Sequence, residues 1–168
     1  MPSAISGSLN YRCGFDGQYI GSADIATPTQ TFANAQVKYL FTAGTGADQA
    51  NVTWADERSL VATAESLDVR GGALADAFGQ TVNVQKLKYI RIENDAASTG
   101  VLLVGGASNV PLLNGVTDKV SIRPGGVFVL SAPDASGIAV TAGTGDLITV
   151  DSGAFTCTYR ITLVGVAV

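Results

Sequence analysis

The chain has 168 residues, of which 46% are apolar and only 14% are charged, and its net charge is −4 at neutral pH. An ordinary soluble domain carries roughly 25% charged residues, so this composition predicts a surface that is partly covered by neighbouring subunits. The competing interpretation is a plain β-domain whose surface is coated with Thr and Ser. The basic residues are scattered among acids, which argues against a nucleic-acid-binding protein, since phosphate contacts need a basic face.

Residues 1–35 differ in kind from the rest of the chain. They are rich in Gly, Ser, Ala, Thr and Asn, yet they contain several aromatic residues, which disordered tails normally lack. The segment predicts either an extended arm that orders against a partner or an extra hairpin of two short strands within residues 12–19. In the arm interpretation, Tyr11, Phe15 and Tyr19 are the predicted partner contacts. Residues 36–168 are predicted to form a separate β-sandwich domain.

The first strand of the main sheet is predicted over residues 36–42, where apolar and polar residues alternate. Trp54 follows in the next apolar segment and is expected in the core or in an interface. The sequence ALADAF at residues 73–78 predicts one short helix, because Leu74 and Phe78 are four residues apart.

Residues 82–93 predict the longest strand, and their apolar pattern changes phase near Leu87. A bulge or a strand that crosses between sheets would explain the change. From residue 89 to the C-terminus, short runs of Val, Ile and Leu are separated by turn residues such as Gly, Pro, Asn and Asp. This pattern predicts about ten strands in an all-β protein, with an antiparallel jelly-roll-like β-sandwich, one short helix and an extended N-terminal arm.

No catalytic, cofactor-binding or metal-binding motif is recognisable. The chain has no histidine, which removes the commonest general base and metal ligand, and it has neither a phosphate loop nor a nucleophile elbow. A carboxylate pair for glycoside hydrolysis remains open, although roles in turns or on solvated faces are simpler. The available acids are Asp56, Glu57, Glu65, Glu93, Asp146 and Asp151. Calcium is the favoured metal if there is one, but Asp48, Asp146 and Asp151 are interpreted as turn formers.

Two cysteines, Cys13 and Cys157, are too few for a zinc site. They either pair with one another or serve as small buried residues. Residues 1–10 lack the charged and apolar regions of a signal peptide, and no apolar run is long enough to span a membrane. The expectation is synthesis in a cytoplasm with reduced thiols.

The order of several turn segments resembles that of small structural proteins encoded by tailed bacteriophages and prophages. The likeness covers residues 36–168 and is carried by residues 44–50 (GTGADQA), 74–79 (LADAFG), 104–107 (VGGA), 118–120 (DKV), 123–126 (RPGG), 132–134 (APD) and 140–146 (VTAGTGD). It implies a jelly-roll-like fold and a place in the virus particle, and it supplies no catalytic residues.

Three functions follow as hypotheses, in decreasing order of preference. The first is a non-enzymatic capsid decoration (cement) protein that binds major capsid subunits on the outer shell as a dimer or trimer, without nucleic acid, membrane or cofactor. The second is a fibre, spike or tail component that binds a host glycan, for which Trp54 is the only tryptophan available for stacking. The third is a hydrolase that acts on a cell-surface polymer through paired carboxylates.

Overall fold

The computed structural model of the protein describes residues 8–20, 29–106, 109–113, 115 and 117–167. Within the first two strands, side chains are described at residues 31, 38 and 40–43 only, and the side chain of Ala73 is likewise left out.

The described residues form fourteen strands joined by turns, with no helix among them. In chain order the strands are β1 (Ser8–Ile20), β2 (Thr29–Ala43), β3 (Gln49–Ala50), β4 (Val52–Val61), β5 (Ala64–Asp68), β6 (Arg70–Ala75), β7 (Thr81–Asn83), β8 (Lys86–Asn94), β9 (Leu102–Gly105), β10 (Lys119–Ile122), β11 (Val127–Ser131), β12 (Ile138–Ala139), β13 (Leu147–Asp151) and β14 (Thr156–Val166).

Two antiparallel sheets share the main core. The five-stranded sheet has the order β11-β8-β14-β4, with β12 pairing to the start of β8, and the four-stranded sheet has the order β10-β9-β13-β5. Ile92 and Leu163 from the larger sheet and Leu102 and Ile148 from the smaller one belong to a single buried cluster. The protein is therefore all-β and sandwich-like, as its turn-punctuated sequence predicted.

The core-facing rows follow directly from alternation along each strand. In β14, Tyr159 and Ile161 are buried whereas Arg160 between them is exposed, and in β13 Ile148 and Val150 are the buried positions. Successive side chains of a strand point to opposite faces, so each strand gives one row to the core. Each fully buried aliphatic side chain contributes about 1.5–3 kcal/mol, which makes these rows the main source of stability.

The short helix predicted over residues 73–78 is wrong. The chain stays in β6 as far as Ala75, and the Asp76 carboxylate then closes a turn by accepting the backbone N–H groups of Phe78 (2.8 Å) and Gln80 (2.9 Å). Phe78 does not anchor a helix, since it is 77% exposed. One helical turn has little stability of its own, so pairing between β6 and β7 and the Asx turn prevail over the spacing of Leu74 and Phe78.

The phase change predicted near Leu87 marks a strand that moves from one sheet to another. β7 pairs with β6 and ends at Asn83, whereas β8 begins at Lys86 in the five-stranded sheet. The neighbouring strand β14 has a register irregularity between Val164 and Gly165, beside Leu87. The single strand predicted over residues 82–93 is therefore wrong, because β7 and β8 are separate strands in different sheets, and β2, with 15 residues, is longer than either. The phase change coincides with this break and with the register irregularity opposite β14.

The N-terminal segment forms a two-stranded ribbon. β1 pairs antiparallel with β2 from Ser8 opposite Thr42 to Ile20 opposite Thr29. Residues 12–19 therefore lie in one strand, so the expectation of two short strands is wrong. The strand predicted over residues 36–42 is present, but it belongs to the sheet β1-β2-β3 and to neither main sheet. β2 also runs through the predicted boundary between residues 35 and 36.

Ala62 offers a test of local backbone strain. It lies between β4 and β5 with φ of +47°, a left-handed conformation that costs a non-glycine residue about 1–2 kcal/mol. We expect Ala62→Gly to raise the free energy of unfolding by roughly 0.5 kcal/mol, because relief of this strain exceeds the added flexibility of glycine in the unfolded chain. Urea denaturation measures the change. Ala64→Gly, two residues later within β5, is the control and is expected to destabilise, so a loss at both positions would contradict the argument.

Candidate assembly surface

The register of the ribbon separates its residues into two faces. Directly opposed residues of an antiparallel pair share a face, and so do residues two apart along a strand. The pairs that share one face are Leu9 with Phe41, Tyr11 with Tyr39, Cys13 with Val37 and Phe15 with Ala35. This set, which we call the apolar face of the ribbon, contains neither acidic nor basic residues.

The opposite face of the ribbon is polar. Its pairs include Asn10 with Leu40, Arg12 with Lys38 and Gly14 with Gln36. Lys38, Leu40 and Thr42, where the side chains are described, are all exposed. Their neighbour Phe41, on the apolar face, is only 1% exposed. The register therefore places most apolar residues of the ribbon on one face, and Phe41 is the one buried side chain among those described in β2.

Phe41 joins the apolar face to the sandwich. It packs with Ala50, Tyr89 and Val164 in a small buried cluster against which Val129 also packs. Tyr89 and Val164 are opposite one another in β8 and β14, on the face of the five-stranded sheet that points away from the main core. The ribbon thus starts from the outer side of the sandwich.

The outer face of the five-stranded sheet becomes charged beyond this cluster. Arg160 makes ion pairs with Glu57 (Nε to Oε2, 2.7 Å) and Asp95 (Nη2 to Oδ2, 3.1 Å), and Arg91 makes one with Glu93 (Nη2 to Oε2, 2.5 Å). The side chains of Arg160 and Glu57 are about half exposed. This outer face therefore carries ion pairs beside exposed apolar side chains such as Val127, opposite Glu93, and Val61, opposite Thr156.

A buried lysine holds the base of the ribbon. Lys88 is fully buried, and its Nζ donates to the carbonyl oxygen of Asp134 and lies 3.4 Å from that of Gly46. Burial lowers the pKa of Lys88, and the carboxylates of Asp134 and Asp48 oppose that effect. The Asp48 N–H also donates to the carbonyl oxygen of Pro133 at 2.8 Å. These contacts fix the turn after β2 to the turn after β11.

The long edges of the ribbon are largely unpaired in the described part of the chain. β1 has β2 as its one neighbour, and the other edge of β2 pairs only through Thr42 and Ala43, which meet β3. Isolated two-stranded hairpins are marginally stable in water, and unpaired strand edges readily accept another chain. In the described part of the chain, the edges of β1 and of most of β2 are therefore open to strand pairing.

The three predicted partner contacts all belong to β1. Tyr11 and Phe15 lie on the apolar face, whereas Tyr19, opposite Gln30, lies beyond a register irregularity between Phe15 and Gly17. Their side chains lie outside the described set, so their contacts stay a prediction. The feature that sequence reasoning missed is β2, which contributes Tyr39, Val37 and Phe41 to the same face. Alternation in residues 37–41 is the available signal, but it predicts a strand of the main sheet equally well.

Trp54 is buried and does not form part of an exposed stacking surface. It is 5% exposed, and its Nε1 donates to the carbonyl oxygen of Ala75 at 3.1 Å. The predicted core position is confirmed. The glycan-binding hypothesis therefore loses the single tryptophan that it had available for stacking on a sugar ring.

The six acids considered for carboxylate catalysis are already engaged. Arg58 donates twice to Oε2 of Glu65, from Nη2 at 2.6 Å and from Nε at 2.9 Å, and the buried Tyr159 hydroxyl donates to Oε1 at 2.8 Å. Burial would raise the pKa of Glu65, but the bonds from Arg58 and Tyr159 outweigh it and hold that pKa below its usual value. A general acid needs the opposite shift. The remaining acids bind arginines or backbone N–H groups: Asp56, Glu57, Glu93, Asp146 and Asp151.

A small cavity of about 110 Å³ lies between the β9–β10 hairpin and the segment that connects these two strands. Its wall is mainly apolar and includes Val104, Leu112 and Phe128. Two of its polar residues are used within the chain, because Asp118 accepts the Gly115 N–H at 2.8 Å and Asn109 donates to Thr149 Oγ1 at 3.1 Å. A third polar residue of the wall is Thr144, whose backbone N–H donates to the carbonyl oxygen of Thr141.

Other kinds of site find no support among the residues that the structure describes. No group of three or more Cys, Asp or Glu side chains is placed to hold a metal ion, and none of the described segments is a helix suited to crossing a membrane. Cys157 is a buried free thiol whose Sγ lies 3.4 Å from the carbonyl oxygen of Gly100. Of the two roles considered for it, small buried residue is the observed one, and the Cys13 side chain is outside the described set.

Comparisons with protein-family models, with curated proteins and with solved structures found no match to this chain.

Proposed function

We propose that this protein is a virion structural protein of the capsid decoration (cement) type. It binds the outer shell as a homo-oligomer, bridges adjacent major capsid subunits and performs no catalysis. The observation that carries the proposal is the amphipathic ribbon, which projects an apolar face and unpaired strand edges from a compact sandwich. Such an element suits permanent assembly with other protein chains, because strand edges and apolar faces are both completed by partners.

We further propose that the sandwich is a jelly roll. Numbering its strands 1–8 as β4, β5, β8, β9, β10, β11, β13 and β14, the sheet orders are 1-8-3-6 and 2-7-4-5. The pairs 1-8, 2-7, 3-6 and 4-5 are those of one long antiparallel hairpin of four strands against four. Rolling that hairpin up brings strand 8 beside strand 3 and strand 7 beside strand 4. Eight strands wound in this way are a jelly roll, an architecture common in viral capsid proteins.

The polar groups of the sandwich support a binding role over a catalytic one. Its acids are neutralised by arginines or used in turns, as Glu65 and Glu57 illustrate, and the wall of its cavity is mainly apolar. A capsid decoration protein needs neither a catalytic acid nor a polar substrate pocket. It needs a stable domain and a surface that other chains complete.

Deletion of residues 1–35 tests the proposed function. We expect the deletion to abolish co-sedimentation with capsids prepared from an induced culture of the organism that carries this chain, because it removes β1 and the part of β2 that precedes residue 36. Emission from the buried Trp54 reports whether the sandwich remains folded. A truncated, folded protein that decorates capsids as fully as the intact chain would contradict the mechanism, and absence of the intact protein from the particles would contradict the function.

A further inference from the structure

We infer that β11 is a self-association edge, which pairs antiparallel with β11 of a second copy of this chain. The pairing joins the five-stranded sheets of the two copies into one sheet across a two-fold axis. The inference goes beyond the proposed function, because it rests on the backbone and side chains of β11 and holds whatever else the protein binds. It is measured on the isolated protein, so its failure leaves the capsid-binding proposal to its own test.

β11 lies at an edge of the sandwich that is open in the described part of the chain. The order β11-β8-β14-β4 places β8 on one side of it, and no other described strand pairs with its second side. Antiparallel addition of a strand is the way in which such an edge is completed by another chain.

Two hydrogen bonds fix which backbone groups of β11 point outward. The N–H of Asn94 donates to the carbonyl oxygen of Gly126 at 3.0 Å, and the N–H of Ala132 donates to that of Lys88 at 2.8 Å. Every second residue from Gly126 to Ala132 therefore bonds to β8, because the bonding direction alternates along an antiparallel strand. The residues between them direct their N–H and C=O groups to the open edge: Val127, Val129 and Ser131.

This edge lacks the charges that guard the other edges of the two main sheets. Charged side chains on an edge strand discourage the addition of another strand, and three of the four edge strands have them: Asp56, Glu57 and Arg58 in β4, Glu65 and Asp68 in β5, and Lys119 in β10. β11 has the sequence VFVLS and no charge. All five of its side chains are described; Val127 is 48% exposed and the other four are partly exposed.

β11 is complementary to itself about Val129. A two-fold axis at this residue places Val129 opposite its own copy and Val127 opposite Ser131 of the second copy. All three residues have outward backbone groups, so the three pairs exchange about six hydrogen bonds. Phe128 then faces Leu130 of the second copy, which is an apolar cross-strand pair of the stabilising kind.

The charges that flank β11 favour an identical antiparallel strand as its occupant. No charged residue lies between Arg123 and Asp134, and both of these side chains are exposed. Arg123 precedes Val129 by six residues and Asp134 follows it by five, so the two-fold pairing brings Arg123 of each copy beside Asp134 of the other. Opposite charges in such positions attract, whereas a parallel copy would align like charges.

The experiment places a charge at the axis and the same charge on the opposite edge of the sheet. Val129→Lys puts two ammonium groups opposite one another, while Val61→Lys adds its charge to β4, where Val61 is 69% exposed. Sedimentation velocity is measured from about 1 to about 200 µM, because a short strand edge gives a small interface and a weak dimer. Wild type and Val61→Lys are expected to shift from 17.1 kDa toward twice that mass. Val129→Lys is expected to raise the dissociation constant at least ~10-fold.

A cysteine at the axis tests the register. Directly opposed residues of a hydrogen-bonded antiparallel pair have Cα atoms about 5.5 Å apart, which is within the reach of a disulfide. In a Cys13→Ser background, Val129→Cys is expected to form a disulfide-linked dimer under mild oxidation, whereas Val61→Cys is not. Cys157 is buried and does not interfere.

Trp54 emission must stay that of the buried indole in each variant. Val129 packs against the cluster of Phe41, so Val127→Pro replaces Val129→Lys if the latter unfolds; proline removes an outward N–H and leaves the bonds to β8 in place. A wild type that stays monomeric across the concentration range would overturn the inference and make a strand of another protein the occupant of this edge. Unchanged association of the folded β11 variant, or an equal loss in Val61→Lys, would also overturn it.

Discussion

Gly105→Ala is expected to lower the free energy of unfolding by roughly 3–4 kcal/mol, the sum of a forbidden backbone conformation and a steric clash. Gly105 ends β9 with φ of +119°, which side-chain-bearing residues rarely adopt. A Cβ built on it would lie 2.5 Å from the carbonyl oxygen of Asp118. Because that oxygen belongs to the backbone at the start of β10, it cannot move without distorting the β9–β10 pair.

Gly71→Ala separates the two causes. Gly71 also has a positive φ, +89°, but a Cβ there would meet no atom within 4 Å. Its substitution should therefore show the conformational cost alone, about 1–2 kcal/mol. Urea denaturation of both variants, read from Trp54 emission, gives the comparison. An equal decrease in the free energy of unfolding for Gly105→Ala and Gly71→Ala would show that the contact with Asp118 adds no cost of its own.

Glu65→Gln is expected to destabilise the protein by about 2 kcal/mol at neutral pH. The substitution removes the charge that Arg58 neutralises, and it weakens the acceptor for the buried Tyr159 hydroxyl. Loss of one partner of a buried pair costs about 3–5 kcal/mol, and exposures of 20% for Glu65 and 32% for Arg58 reduce that figure. Asp56→Asn is the matched control on the same arginine. Asp56 is 41% exposed, so its loss should cost only a few tenths of a kcal/mol.

The same pair predicts a pH dependence. The pKa of Glu65 is lower in the folded protein than its usual value of 4.5, so the folded state favours the carboxylate. The stabilisation is therefore complete above pH 4.5 and is lost as the pH falls through the folded pKa. The difference in unfolding free energy between wild type and Glu65→Gln should shrink on acidification below pH 4.5. A difference that stays constant down to pH 2 would exclude the ionised pair as its source.

Side-chain alternation and turn residues gave the fold class from sequence because both are local properties. Val and Ile alternate with polar residues in segments such as β13, and glycines at positive φ separate the strands, as at Gly125 and Gly143. The burial of Trp54 followed from the same logic. Where a local pattern was short, as in the segment around Leu74 and Phe78, the sequence predicted a helix. That prediction is wrong because the segment forms a strand, β6, and a turn.

The same reasoning predicted only part of the candidate assembly surface. Tyr11, Phe15 and Tyr19 are recognisable from sequence because aromatic residues are unusual in a segment as polar and glycine-rich as residues 1–35. The common face of Tyr11 and Phe15 is not, because it depends on the pairing of Tyr11 with Tyr39 and of Cys13 with Val37. Nothing local in the sequence shows which two strands pair, and the strand over residues 36–42 fitted a main sheet equally well.

The sequence by itself determined that this chain forms strands, where they turn and which residues of each strand face inward, since neighbours along the chain set these properties. The tertiary structure decided that β4 pairs with β14 across the whole domain, that β2 joins β1 and that Arg58 meets Glu65 and Tyr159. The physical reason is that pairing between distant segments is selected by the total core that all strands bury together. That quantity is not contained in any single stretch of residues.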